Sequence, residues 1–294
     1  MKRCLQCDTE FDGACWRCPA CGYEPETVSG MSVFAPELAY QNDTYDARSF
    51  ARLAEIESGH FWFEARNRLL LWLVQKYFPN PETLFEVGCG TGFVLQHLSE
   101  HLPHTMFYGS DLLLEGLRFA AYRVPDATLF QMDARQIPYR NAFDMLGAFD
   151  VIEHIDEDEA VLDQMFQAIK PGGGIIISVP QHQFLWSIVD DMSYHKRRYS
   201  KDELTGKIER AGFQVLMTTS FVSLLLPFMV LSRRRKTASV KTGFDRRMEF
   251  KLGPLLNTSL SRVMDFERLL IRSGVSFRAG GSRLIVARRP VQTS

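Results

Sequence analysis

The segment that decides the fold is Phe85-Glu86-Val87-Gly88-Cys89-Gly90-Thr91-Gly92. An apolar run typical of a strand, 83–87, leads into it, and a run typical of a helix, 93–101, follows it. Its glycines let the backbone turn sharply and approach a ligand closely, and the N-terminus of the following helix favours negative groups. Glu86 would repel a pyrophosphate, so the loop favours a ligand with hydroxyls or a positive end. By itself, such a loop is also typical of an ordinary strand-to-helix turn.

Acidic residues end the strands that come after this loop. The predicted strands are 83–87, 105–110, 127–132, 142–152 and 175–179. Asp111 closes the second, about 20 residues after the loop, which is the spacing at which an acid meets ribose hydroxyls. Asp133 closes the third, and Asp150-Val151-Ile152-Glu153-His154 ends the fourth. Since strands alternate with helices, we expect an α/β fold with a doubly wound, mostly parallel sheet and a ligand site at the carboxyl ends of its strands.

Two more strands are expected in the last third of the chain. Residues 214–220 predict a sixth strand, and 283–288 predict a last strand, antiparallel and at the edge of the sheet. The segment between them is too long for a plain loop, so we interpret 221–282 as a helical insertion. It includes a helix predicted over 254–273.

These motifs, in this order, resemble those of the class I S-adenosylmethionine-dependent methyltransferases. The resemblance covers roughly residues 60–290 and includes the glycine loop, Asp111, Asp133, the 150–154 segment and Lys170-Pro171-Gly172-Gly173. It implies a Rossmann-like sheet of seven strands with an antiparallel last strand, S-adenosylmethionine as cofactor, and methyl transfer. A dehydrogenase is the main alternative for such a fold, but its loop usually reads Gly-x-Gly-x-x-Gly.

The resemblance also implies roles for individual residues at the cofactor. Glu86 would lie near the amino-acid end of the cofactor, and the three glycines of the loop would shape the backbone beneath it. Asp111 and Leu112 would meet the ribose, and Asp133 and Ala134 the adenine. The cofactor-binding candidates are Glu86, Gly88, Gly90, Gly92, Asp111, Leu112, Asp133, Ala134 and Asp150. The alternative for both Asp111 and Asp133 is a helix N-cap or turn acid.

Glu153 and His154 occupy the position that in the family lies beside the reacting methyl group. His154 is a candidate general base because the ordinary pKa of imidazole is near neutrality. Together with Asp150 they also resemble a divalent-metal set of the ubiquinone-pathway O-methyltransferases. The alternative is that these acids cap the acidic first turn of the next helix.

A further group of polar residues follows the fifth strand, where substrate meets cofactor. His195 and Tyr199 are acid/base candidates there. Arg197 and Arg198 would grip a phosphate or carboxylate of the substrate. Alternatively, the two arginines pair with 190–191 and fix the loop.

Two Cys-x-x-Cys pairs, separated by ten residues, lie near the start of the chain. Cys4, Cys7, Cys18 and Cys21 are the expected metal ligands, because four thiolates suit tetrahedral Zn²⁺ and leave no open position. A module this small needs such a metal to fold, so we expect structural zinc in a ribbon over 1–25. Cys15 is an alternative ligand, and Trp16 and Tyr23 are candidate contacts of the ribbon.

We expect a linker over 26–45 and the methyltransferase domain over 46–294. Helices predicted over 46–58 and 64–78 precede the first strand, and in the family such helices commonly cover the cofactor pocket. The aromatic run 61–63 between them fits either the core or the wall of a substrate pocket. Tyr40 and Tyr45 are weaker candidates to close over the cofactor.

The 294 residues carry a net charge of −1 and are 46% hydrophobic, which is typical of a globular protein. Residues 1–191 carry 13 Lys/Arg and 28 Asp/Glu, whereas 192–294 carry 21 and 7. The halves either attract each other or present a basic surface to an anionic partner. The apolar run 221–231, followed by basic residues to 236, fits a buried helix, an oligomer contact or a peripheral membrane contact.

We therefore expect a cytoplasmic methyltransferase, without a signal peptide or spanning segment. A resemblance to a bacterial subgroup over 60–66 and 186–199 implies O-methylation of a small-molecule, sugar or lipid-linked acceptor. The alternatives are an RNA methyltransferase that uses the ribbon and the basic third, and a catalytically silent cofactor-binding scaffold. DNA is not an expected partner.

Overall fold

A nine-stranded sheet forms the centre of the molecule. The computed structural model describes residues 1–40, 48–237 and 252–291, excluding the side chains of 48 and 232–237. The strands are β1 (Lys2–Arg3), β2 (Glu10–Phe11), β3 (Glu26–Val28), β4 (Met31–Val33), β5 (Thr83–Val87), β6 (Met106–Asp111), β7 (Thr128–Gln131), β8 (Phe143–Phe149), β9 (Ile169–Pro180), β10 (Gln214–Phe221) and β11 (Ser282–Arg288). β1 and β2 pair with each other in a separate two-stranded sheet, and the other nine lie in the order β10-β11-β9-β8-β5-β6-β7-β4-β3.

Strands β5 to β9 are parallel, and β11 is antiparallel to both of its neighbours. This confirms the Rossmann-like α/β fold with an antiparallel last strand. The expected edge position of that strand is wrong, because β11 lies between β9 and β10. Leu284 to Ala287 are buried on both faces of the sheet, as an interior strand requires.

The segment predicted as a linker contains the two strands that extend the sheet from seven to nine. β3 and β4 form a hairpin whose turn contains Gly30 at φ +82°. β4 pairs in parallel with β7 and buries Met31 and Val33. The hairpin therefore extends the sheet beyond β7. Residues 41–45 of the predicted linker, with Tyr45, lie outside the described residues.

Nine α-helices are present in the part of the chain that the structure describes. They are α1 (Arg48–Glu57), α2 (Phe61–Tyr77), α3 (Phe93–His101), α4 (Leu114–Arg123), α5 (Asp158–Ala168), α6 (Ile188–Met192), α7 (Lys201–Arg210), α8 (Leu226–Thr237) and α9 (Pro254–Arg272). α2 begins three residues earlier than expected because the Nδ1 atom of His60 accepts from the N–H of Trp62, at 3.3 Å.

The insertion between β10 and β11 contains α8 and α9. α9 lies against α2, with Met264 and Ile271 buried in the main core. Asn257 fixes its first turn: its side chain accepts from the N–H of Phe61 at 2.9 Å and donates to the carbonyl of Gly59 at 2.8 Å. The side chains of the basic residues 233–236 are not among those that the structure describes. Within the described residues, none of the helices combines the length and apolarity needed to cross a bilayer.

The N-terminal ribbon packs against the face of the sheet that lies opposite α2 and α9. The indole of Trp16 makes edge contacts with Phe34 and Tyr139, with ring centroids 4.6 and 5.3 Å apart. Trp16 therefore contacts residues of the same chain. The Nη1 atom of Arg3 also donates to Gln164 on α5 at 2.9 Å. The division of the chain into domains at 25 and 45 stays a prediction.

Candidate active site

A cavity of about 1240 Å³ opens at the carboxyl ends of β5, β6 and β8. The glycine loop, the strand-end acids and the 193–198 segment form its polar walls, and α2, α8 and α9 contribute apolar side chains. The predicted site residues that border it are Glu86, Gly88, Gly90, Asp111, Leu112, Asp133, Ala134, Asp150, Glu153, His154 and His195. Phe61, Trp62 and Phe63 border it as well, whereas Tyr40 is exposed elsewhere.

The glycine loop needs glycine for two different reasons. Gly88 has φ +68°, and a Cβ there would lie 2.5 Å from the Cγ2 atom of Val151. Gly92 has φ +76° and a Cβ position 2.8 Å from the Cα atom of Ala120, on α4. Gly92 does not border the cavity, and its lack of a Cβ atom permits the close packing of α4.

Asp111 ties the end of β6 to the glycine loop. Its Oδ2 atom accepts from the N–H of Gly90 at 2.9 Å, and its Oδ1 atom from the N–H of Leu113 at 3.0 Å. Burial raises the pKa of Asp111, and these N–H groups oppose the rise. Each carboxylate oxygen retains further acceptor capacity toward the cavity.

Glu86 is a buried carboxyl group at the end of β5. Among the described residues its Oε2 atom has no hydrogen-bond partner. Burial raises the pKa of Glu86 to about 8, although the positive charge of Arg66 acts in the opposite direction. The site therefore holds a carboxyl group that a positively charged ligand group would stabilise in its ionised form.

Arg66 is a site residue that the sequence did not single out as such. Its Nη1 atom donates to Asp150 Oδ2 at 2.7 Å, and its guanidinium lies 4.7 Å from the ring centroid of Trp62. It is a charged residue on the buried side of α2, beside Leu69 and Leu70. That pattern, a charge within an apolar helix face, was the available signal.

Glu57 was also missed, and it connects α1 to the glycine loop. Its buried carboxylate accepts from Thr91 Oγ1 at 2.7 Å and from Arg123 Nη1 at 2.6 Å. Arg123 in turn donates to the carbonyl of Thr91 at 3.2 Å. These contacts hold α1 over the loop and beside the cavity.

The carboxylate of Asp133 is already paired. It accepts from Arg135 Nε and Nη2 at 2.9 and 2.6 Å, and from the backbone N–H of Arg135 at 2.9 Å. Asp133 is therefore both the turn acid of the alternative interpretation and a neighbour of the cavity.

His195 is held in one orientation by a buried acid. The Nδ1–H of His195 donates to Asp190 Oδ1 at 2.9 Å, and Arg198 Nε donates to the same oxygen at 2.7 Å. Burial alone would raise the pKa of Asp190, but these hydrogen bonds hold it well below its usual range. Because Asp190 is a carboxylate, Nδ1 carries a proton, and in the neutral ring Nε2 is then the acceptor atom.

Glu153 and His154 lie next to His195. The rings of His154 and His195 are 4.8 Å apart, and the Nε2 atom of His195 lies 4.0 Å from Glu153 Oε1. Burial raises the pKa of Glu153 well above its ordinary value and lowers the pKa of His154 to about 4. The structure thus gathers three of the four predicted catalytic residues.

Tyr199 is placed elsewhere, so its expected acid/base role is not supported. It is fully buried, and its hydroxyl donates to Asp158 Oδ2 at 2.6 Å. Arg198 pairs with Asp190, as the loop-fixing alternative expected, whereas Arg197 pairs with Asp158, at 3.1 Å. The burial of Tyr199 depends on tertiary packing, which the residues next to it in the sequence do not reveal.

A family model described as a methyltransferase domain matches residues 50–218. Among curated relatives, a dTDP-3-amino-3,4,6-trideoxy-alpha-D-glucopyranose N,N-dimethyltransferase of Streptomyces venezuelae is 29% identical over 36% of this chain and 45% of its own length. A tRNA (guanine-N(7)-)-methyltransferase of Rubrobacter xylanophilus is 26% identical over 45% of this chain and 62% of its own. The chain spans about half the length of these relatives.

A solved structure shows the same fold. Phosphoethanolamine N-methyltransferase 2 of Haemonchus contortus, in complex with S-adenosyl-L-methionine, matches with a TM-score of 0.56. It is 17% identical and covers 89% of this chain and 61% of its own.

The raised pKa of Glu86 predicts that Glu86→Gln stabilises the free protein at neutral pH. The folded-state pKa, about 8, lies above the ordinary value of 4.5. The unfolded chain therefore ionises first, and the stability of the wild type falls as the pH rises from 4.5 to 8. At pH 7 the variant should be more stable on the order of 3 kcal/mol, since one pKa unit corresponds to 1.4 kcal/mol.

Urea denaturation at pH 5 and pH 7 measures this difference. Glu82→Gln is the matched control, because Glu82 is exposed just before the same strand. The difference between wild type and Glu86→Gln should grow between the two pH values, whereas the control should show none. The raised pKa of Glu86 would be contradicted if Glu86→Gln were less stable than the wild type at pH 7. It would also be contradicted if the stability difference were the same at both pH values.

Proposed function

We propose that this chain, which belongs to the methyltransferase-domain family, is an S-adenosylmethionine-dependent methyltransferase that methylates a hydroxyl oxygen of a small-molecule, sugar or lipid-linked acceptor. The proposal concerns the acceptor and the residues that act on it. The cavity supports it through two ends of different character: strand-end acids beside the glycine loop, and a histidine-carboxyl cluster beside the 193–198 segment.

The residues at the glycine loop fit the cofactor. Asp111 would accept from the ribose hydroxyls, because its oxygens retain acceptor capacity. Glu86 would face the ammonium group, which suits its unpartnered oxygen. Leu112 and Ala134 would border the adenosine. Bound S-adenosylmethionine supplies an electrophilic methyl group on a positively charged sulfur, so the protein mainly aligns the partners.

The Glu153, His154 and His195 cluster is the observation that carries the proposal of a hydroxyl acceptor. A hydroxyl must lose its proton as it is methylated, and imidazole and carboxyl groups are the side chains that handle such protons. Asp190 holds His195 with the Nε2 lone pair directed toward the cluster. Tyr199 has no part in this proposal.

The size and composition of the cavity support an acceptor with an apolar part. Its volume, about 1240 Å³, exceeds the ~300–1,000 Å³ of a site for one ligand, so cofactor and acceptor fit together. Leu225, Met229 and Leu260 of the helical insertion border it. Apolar side chains in the wall of the cavity favour a lipid-linked or otherwise amphipathic acceptor.

An RNA acceptor is the second candidate, favoured by the tRNA methyltransferase relative and by the basic third of the chain. The orientation of Trp16 weighs against it. This aromatic side chain of the ribbon packs on Phe34 and Tyr139 and so does not stack on a base.

We also propose that the ribbon holds one structural zinc ion. The Sγ atoms of Cys4 and Cys21, and those of Cys7 and Cys18, are 3.6 Å apart. Four sulfurs around Zn²⁺ at ~2.3 Å lie about 3.8 Å from one another, so the set fits. Cys15 lies outside it.

Asp111→Ala is expected to abolish S-adenosylmethionine binding, because it removes the proposed ribose acceptor. Calorimetry of cofactor binding measures this, and circular dichroism checks that the fold is intact. Asp126→Ala, at an exposed acid, is the control and should bind normally. Unchanged affinity in Asp111→Ala would exclude the ribose assignment.

His195→Ala is expected to lower kcat by roughly 10²–10⁴-fold and to leave cofactor affinity unchanged. The assay offers S-adenosylmethionine with a ¹³C-labelled methyl group to sugar and lipid-linked hydroxyl acceptors, and NMR identifies the atom that receives the methyl. His104→Ala, at an exposed histidine, is the control. Label on nitrogen or on RNA, or full activity in His195→Ala, would refute the proposal.

Chelation is expected to remove one zinc ion per chain and to unfold the ribbon but not the sheet. A chromogenic chelator counts the zinc, and far-UV circular dichroism follows the melting of the core. Cys15→Ser should retain the ion and Cys4→Ser should lose it. A single cooperative collapse on chelation would show that ribbon and sheet are one folding unit.

A further inference from the structure

The outer face of α9 exposes large apolar side chains. Leu255, Phe266 and Leu269 are 85, 55 and 59% exposed. With the exposed Arg262 they form a stripe along one face of the helix, because the four residues are spaced 7, 4 and 3 positions apart. The stripe is about 21 Å long, at a rise of ~1.5 Å per residue. Single exposed apolar residues are normal, whereas a stripe of them marks an interaction surface.

The mouth of the cavity is apolar as well, and it belongs to the same insertion. Phe228, Leu231 and Leu256 border the cavity and are 68, 50 and 51% exposed. Side chains that border a cavity and are also half exposed lie at its opening. Leu256 directly follows Leu255, so the stripe on α9 begins at the mouth of the cavity.

The chain attached to this mouth is strongly basic. Residues 232–251 carry eight Lys/Arg and two Asp/Glu, which gives a net charge of +6. The segment is joined to Leu231 at one end and to Leu252 at the other, and both leucines border the cavity. Its positive charge is therefore attached to the mouth at both ends.

The two acids of α9 do not oppose this charge. Asp265 lies 3.2 Å from Arg68 and 3.5 Å from Arg268, so its charge is already balanced. Glu267 is 0% exposed. The stripe itself contributes the exposed guanidinium of Arg262. The surface of the insertion thus combines exposed apolar side chains with positive charge.

We propose that α8 and α9 dock on the surface of an anionic lipid bilayer and place the mouth of the cavity against it. The apolar side chains enter the boundary between headgroups and acyl chains, and the basic residues meet the anionic headgroups. A lipid-linked acceptor then enters the cavity directly from the bilayer, a consequence that rests on the proposed function. The structure adds the stripe on α9 to the apolar run 221–231 that the sequence singles out.

A bilayer suits this surface better than a second copy of the chain or an RNA. In a symmetric dimer the same surface meets itself, so the basic segments of the two copies would repel each other. RNA-binding surfaces combine basic groups with aromatic side chains that stack on bases, whereas leucine predominates here. An anionic bilayer accepts both the apolar and the basic groups.

Co-sedimentation with vesicles tests the contact, without S-adenosylmethionine or acceptor. The vesicles contain phosphatidylcholine alone, or equal parts of phosphatidylcholine and phosphatidylglycerol. The wild type should bind the mixed vesicles, more weakly as salt is raised, and should bind phosphatidylcholine alone roughly tenfold more weakly or less. The double variant Phe266→Ser/Leu269→Ser should lose roughly tenfold or more in affinity for the mixed vesicles, and Arg262→Gln about fivefold.

Tyr122→Ser is the matched control, because Tyr122 is an aromatic residue on α4 that is 90% exposed. It should bind the mixed vesicles like the wild type, and thermal melting by circular dichroism shows that each variant is folded. The proposal is overturned if the wild type does not bind the mixed vesicles, or if the double variant binds them like the wild type. It is also overturned if Tyr122→Ser loses as much affinity as the double variant.

Two further measurements address the other occupants. Light scattering that finds a dimer, dissociated by Phe266→Ser/Leu269→Ser, would assign the surface to a second copy of the chain and refute the bilayer. Sedimentation of the wild type with RNA but not with the mixed vesicles would likewise refute it.

The result is separable from that of the proposed function. Binding to the mixed vesicles, together with methyl transfer to nitrogen, would support the bilayer contact and refute the hydroxyl acceptor. Methylation of a water-soluble hydroxyl acceptor, without any binding to the mixed vesicles, would keep O-methylation and refute the bilayer contact.

Discussion

The close approach of Gly88 to Val151 is the contact on which the cavity depends. A Cβ atom at Gly88 would lie 2.5 Å from the Val151 side chain, so only glycine lets the loop after β5 meet the turn after β8. Asp150 takes φ +58° at that turn, and Arg66 fixes it from α2. This contact sets the glycine loop beside the segment that carries Glu153, because the two follow the neighbouring parallel strands β5 and β8.

Buried carboxyl groups give the site its character. Glu86, Asp111 and Glu153 all have pKa values raised by burial, and two of them keep unpartnered oxygens in the described structure. Such groups lower the stability of the free protein, and ligands with positive charge or hydroxyl donors remove that cost. The cavity is therefore organised for binding at the expense of stability, as functional sites commonly are.

Much of this arrangement follows from the sequence, because acids at the ends of parallel strands must meet at one edge of the sheet. Their positions at the ends of predicted parallel strands were enough to expect Asp111 and Glu153 at one edge, and both border the same cavity. The positions of Tyr199 and Gly92 were not predictable, since packing against α5 and α4 decides them. Arg66 comes from a distant segment, and local periodicity carries no information about its pairing with Asp150.

A crystal structure of the protein with S-adenosylhomocysteine tests the central claim, that one cavity joins a cofactor end to an acceptor end. We predict that the ribose hydroxyls contact Asp111 and that the sulfur faces Glu153, His154 and His195. A ligand bound outside the cavity, or a sulfur directed away from this cluster, would contradict the account.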